Sequence, residues 1–75
     1  MKTRMFHAMI AVAALSPAMH KQLRYEATST GITTGDTVGG ELHVWHRPYW
    51  QQEVFELADR FGVHVTSAQV EEVDA

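Results

Sequence analysis

Glu41-Leu42-His43-Val44-Trp45-His46-Arg47-Pro48, continued by Tyr49 through Phe61 and closed by Gly62-Val63-His64-Val65-Thr66-Ser67, is the stretch that decides the fold. Its two ends alternate apolar and polar residues, the pattern of a half-buried strand. Between them Trp50, Val54, Leu57, Ala58 and Phe61 recur at the helical period and form one apolar stripe. Gln51, Gln52, Glu53, Glu56, Asp59 and Arg60 cover the other sides, and Glu56 and Arg60 sit one turn apart as a favourable pair. Pro48 suits the first helical position, because the N–H it lacks would have no partner there. Gly62 suits the left-handed residue that follows a helix end. Phe55 falls outside the stripe and is expected at the edge of the core.

Outward toward the start, residues 1–16 admit three readings. As a strand, Phe6, Ala8, Ile10 and Val12 line one face, and Met5, His7, Met9 and Ala11 the other. As a secretory signal covering residues 1–18, the basic start (Lys2, Arg4) precedes an apolar run and a small-x-small site at Ser16-Pro17-Ala18. The third reading is a helix. The run is too short to span a membrane. Ser16-Pro17 marks a helix start, with a capping hydroxyl followed by proline at the first position. That helix is expected from Pro17 to about Glu26 or Ala27, with Ala18, Met19 and Leu23 toward the core and His20, Lys21 and Arg24 outward.

The segment Thr28–Gly40 has Ile32 and Val38 as its only large apolar residues. It reads as a poor edge strand between about Glu26 and Thr34, followed by turns at Gly35-Asp36 and Gly39-Gly40. Its glycines have neither dinucleotide-loop nor phosphate-loop spacing. Beyond Gly62, Val63 and Val65 alternate with His64 and Thr66. The end is either a strand to about Val70 or a helical turn capped around Thr66, and the last acidic residues are expected to be mobile.

The order strand, helix, poor strand, strand, helix, strand predicts one α+β domain over residues 1–75. Its expected architecture is the ferredoxin-like split βαβ (βαββαβ) arrangement, a small antiparallel sheet with both helices on one face. Phe6, Ala8, Ile10, Val12, Leu42, Val44, Val63 and Val65 would face the helices. Met5, His7, Met9, His43, Trp45, Arg47, His64 and Thr66 would face away.

Composition narrows the function classes. The 75 residues include no cysteine, which excludes disulfides, thiolate metal sites and a thiol nucleophile. A chain this short buries only about 60% of its unfolded surface, so partners or self-association would help stabilise it. Net charge is −3 and no stripe of Lys and Arg runs along the chain, which disfavours nucleic acid. The expected location is cytoplasmic, or secreted or periplasmic if residues 1–18 are a signal.

No cofactor is implied and no catalytic constellation is found. His64-Val65-Thr66 resembles one His-x-Thr motif of the two-histidine phosphoesterases. The other candidate reads His43-Val44-Trp45, without the hydroxyl, and the chain is too short for that two-lobed fold, so no activity is carried over. Trp, Tyr and Arg are the usual anchors of protein interfaces. Trp45, Arg47 and Tyr49, with His43 and His64, are therefore the expected partner-binding residues of a non-enzymatic adaptor, inhibitor, subunit or homodimer. The alternative is a metal site built from His7, His43 and His64, three imidazoles that would suit zinc, nickel or copper.

Overall fold

The strand and helix patterns meet in one buried cluster. In the computed structural model, which describes residues 1–74, β1 runs Lys2–Ala11 and α1 Pro17–Ser29. They are followed by β2 (Thr33–Val38), β3 (Glu41–His46), a 3-10 turn at Pro48–Trp50, α2 (Gln52–Arg60) and β4 (Val65–Asp74). The four strands form one antiparallel sheet in the order β2-β3-β1-β4. No helix among the described residues is long and apolar enough to cross a membrane.

Strand alternation does the sorting. Phe6, Ala8, Ile10 and Val12 are buried, as are Leu42 and Val44 of β3. They share the cluster with Ile32, with Leu23 and Ala27 of α1, and with Val54, Leu57 and Ala58 of α2. Burying such side chains stabilises each by roughly 1.5–3 kcal/mol, so this one cluster dominates the fold. Residues 2–11 thus take the strand of the first reading, between β3 and β4.

α1 starts as its sequence dictates: the Ser16 hydroxyl accepts from the Met19 backbone N–H at 3.2 Å. It continues past the expected end at Ala27 to Ser29. Thr28, Ser29 and Thr30 donate their hydroxyls to the carbonyls of Arg24, Tyr25 and Glu26, one turn back, and so follow the helix instead of a strand. β2 is displaced accordingly to Thr33–Val38. Ala18 and Met19, expected toward the core, are exposed.

α2 begins at Gln52, after the 3-10 turn that Pro48 opens. The tighter turn takes Trp50 out of phase with the stripe, and it is 49% exposed instead of core. Phe55 packs its ring 5.9 Å from that of Phe6, at the core edge. Gly62 takes φ 67° after the helix end, as expected of a residue there.

β4 carries an irregularity that the sequence does not announce. Met9 pairs with Ser67 but Ile10 pairs with Val65, so Thr66 is an extra residue. Its hydroxyl donates to the Glu41 carboxylate. Beyond the bulge, Ala68 and Val70 lie opposite Ala8 and Phe6, while Ser67, Gln69 and Glu71 lie opposite Met9, His7 and Met5. The acidic end, read as mobile, is strand as far as Asp74, which pairs with Lys2. On the other side of β1, pairing with β3 stops at Phe6, so residues 2–5 and 71–74 extend as a two-stranded ribbon past β3.

Candidate functional site

The sheet face turned away from the core is organised around one carboxylate. β1 presents His7, β3 presents His43 and Trp45, and β4 presents Gln69 and Glu71. The register sets His7 directly opposite both Trp45 and Gln69, so three strands contribute to one row. Cross-strand neighbours at this spacing are within reach of aromatic and long side chains. The His7 ring lies on the Trp45 indole, centroids 4.6 Å apart and planes 8° from parallel. His43 meets His7 edge to edge, ring centroids 5.1 Å apart.

Glu71 reaches in from the edge strand and ties the row together. It accepts from the Trp45 indole N–H at 3.1 Å, a bond that passes from β3 to β4 above β1. It accepts from the Gln69 amide at 3.3 Å, and its other close partner is His7 Nδ1, also at 3.3 Å. The Trp45 bond, opposed by partial desolvation and reinforced by His7 and Gln69, holds the Glu71 carboxyl below its ordinary value of 4.5. The carboxylate is therefore ionised at neutral pH and only accepts.

That fixes the histidine tautomers. The Glu71 carboxylate, 3.3 Å from His7 Nδ1, favours the proton on that nitrogen, so a neutral His7 offers Nε2 as an acceptor. The His7 Nε2 to His43 Nδ1 contact of 2.9 Å is then a bond donated by His43. The result is a chain from His43 through His7 to Glu71. Gly35 of β2 makes room for the plate: a Cβ there would lie 2.6 Å from the Trp45 ring. Arg24 of α1 donates to the Gly35 carbonyl at 3.0 Å and steadies that approach.

The expected site residues divide. His43 and Trp45 are brought together with His7. Arg47 lies exposed beyond the end of β3. Tyr49 is 84% exposed and packs edge-on against Trp50, in an aromatic pair separate from the Trp45 stack. His64 does not join His7 and His43. It precedes β4, is exposed, and borders a surface cleft with Phe55 and Glu56. The three-histidine metal set is thus not assembled, and among the described residues no group of three His, Cys, Asp or Glu side chains is arranged to hold a metal.

Three residues are not singled out by the sequence. Glu71 falls in the acidic end and Gln69 in the segment read as a strand or a capped turn, because the bulge at Thr66 hides the parity that turns them toward His7. His46 is the third. It is 6% exposed, on the core side with Leu42 and Val44, and bonds Glu53 of α2 at 2.7 Å while its Nδ1 is unpartnered. Its even parity with Leu42 and Val44 was the signal for burial.

The chain matches no family model, no curated protein and no solved structure.

Proposed function

We propose that this protein is a non-enzymatic interaction module that docks through the bare sheet face. The observation that carries the reading is the Trp45–His7–His43 plate, held in one geometry by Glu71. Side chains already fixed in the free state lose little rotamer entropy on docking, which is what separates an anchor from an ordinary surface residue. Met5 and Met9 flank the plate on the same strand and supply adaptable apolar contact. Tyr49, 84% exposed in its separate pair with Trp50, adds a second contact.

The partner class is protein, and a second copy of this chain is the first occupant. Two sheets packing face to face sit about 10 Å apart, a spacing that side chains of this size fill. The element order and the strand order β2-β3-β1-β4 support the ferredoxin-like split βαβ arrangement, in which the face opposite the helices is left uncovered.

Sedimentation across a concentration series tests the reading. Self-association is expected, and Trp45→Ala should weaken it at least tenfold, with a smaller effect from Tyr49→Ala. A wild-type chain that stays monomeric at every concentration overturns the second copy as occupant. A Trp45→Ala variant that is folded and associates as wild type overturns the sheet face as the docking surface.

A further inference from the structure

We infer that the outer edge of β4 pairs with the same edge of a second copy, joining two four-stranded sheets into one. This interface lies on a different surface from the docking face and stands without it.

The two edges of the sheet are guarded differently. β2 is short, its pairing with β3 shifts register between Thr34 and Thr37, and Arg24 of α1 bonds its Gly35 carbonyl. Short length, irregular register and cover are devices that keep an edge strand from pairing with another chain. β4 has its bulge at Thr66, near its start. From Ser67 to Asp74 it pairs regularly with β1 and contains no Pro, Gly, Lys or Arg. Among the described residues no strand pairs with its outer edge.

The second observation is apolar surface at the same margin. Ala68 and Val70 lie opposite Ala8 and Phe6, on the helix side of the sheet. Ala8 and Phe6 are buried, yet Ala68 is exposed and Val70 is 40% exposed. Phe55, whose ring packs near that of Phe6, is 37% exposed. The core is thus uncovered along β4. A strand added there covers Val70 and fills the free backbone groups together.

Self-complementarity names the occupant. A two-fold axis through a continuous antiparallel sheet sets residues of the same face opposite one another, so it is centred on one residue. Centred on Val70, it pairs Val70 with itself, Gln69 with Glu71, Ala68 with Glu72 and Ser67 with Val73. That is the longest register clear of both the bulge and opposed like charges, and each Gln69 amide meets a carboxylate. Centring on Glu71 or Glu72 would oppose acid to acid. Within each chain Glu72 and Asp74 already lie opposite Arg4 and Lys2, which offsets the acidity of the edge. The two bare faces end on the same side of the joined sheet, so both Trp45 plates stay open.

The test is disulfide trapping, since the chain has no cysteine of its own. Opposite residues of an antiparallel pair have Cα atoms about 4.5–5.5 Å apart, within disulfide reach. Full-length Val70→Cys is oxidised with diamide beside Val38→Cys, which replaces an exposed valine of the β2 edge. A single strand pair belongs to the small, weak size class, below about 1,200 Å², so protein concentration is kept high. Val70→Cys should form linked dimers roughly tenfold faster than Val38→Cys. Mixed Ala68→Cys and Glu72→Cys chains should link to each other in preference to themselves. Adding Val70→Lys to both should slow that link roughly tenfold, because it opposes two ammonium groups. Val70 is on the helix side, so a dimer joined through bare faces holds its two copies apart and gives no such link. Circular dichroism confirms that each variant is folded. Equal linking rates for Val70→Cys and Val38→Cys overturn the inference, as does an Ala68–Glu72 link that Val70→Lys leaves unchanged.

Discussion

The two faces of this sheet are held by different physics. The covered face is apolar: Phe6, Ala8, Ile10, Leu42 and Val44 meet Leu23, Val54 and Leu57, and apart from the His46–Glu53 bond little there depends on direction. The bare face is directional: His7, His43, Trp45 and Glu71 are fixed by stacking angles and hydrogen bonds. Alternate residues of the same strands supply both. Hydrophobic burial therefore sets stability on one side, while the other is free to carry a geometry that water would otherwise compete away.

This contrast can be broken most forcefully from the covered side. Leu42→Ala or Ile10→Ala removes a fully buried side chain at the centre of the cluster. Each should cost about 2–5 kcal/mol in chemical denaturation. In a domain this small that is a large share of the total, and a cost under about 1 kcal/mol would contradict the assigned core.

The next effect crosses from backbone to plate. Gly35→Ala puts a Cβ 2.6 Å from the Trp45 ring, so the indole must move off its seat. A loss of about 1–3 kcal/mol is expected, with a shift in Trp45 fluorescence measured in a Trp50→Phe background. Unchanged emission would show that the plate is not rigid.

On the bare face itself the signature is pH dependence. The folded-state pKa of Glu71 is depressed, so the stability it contributes is complete above its ordinary 4.5 and is lost as pH falls through the lowered value. Glu71→Gln should remove that part of the acid dependence, read from denaturation midpoints between about pH 5 and pH 2. Parallel curves for the two proteins would detach Glu71 from the network. Smallest of all, Tyr49→Ala should change stability by no more than about 0.5 kcal/mol, since the ring is 84% exposed.

How much of this could be read from the sequence follows from what each signal depends on. The faces of β1 and β3 were legible because alternation is a local property and both strands are regular. The Ser16-Pro17 helix start was legible for the same reason. Three features were not. Thr28-Ser29-Thr30 looks β-prone, and only the i−4 hydroxyl bonds show that the helix keeps it. Trp50 fits the α2 stripe until a 3-10 turn shifts its phase. Glu71 joins His7 through a bulge at Thr66 that exists only once β4 pairs with β1. The candidate site was thus half visible: His7, His43 and Trp45 shared a predicted face, but His64 was wrongly grouped with them and the carboxylate that organises them was missing.

The pairing of β1 with β4 also sets a timetable. Lys2 pairs with Asp74 and Phe6 with Val70, so β1 finds its β4 neighbour only after α1, β2, β3 and α2 have been made. Contacts between such distant segments give the chain a high contact order, which slows folding through the entropy of closing a long loop. During synthesis β1 can dock on β3 and α1, yet its β4 edge has no partner until β4 has left the ribosome. Nascent chains therefore expose an unpaired strand edge until β4 is made, the period in which chaperone protection matters most.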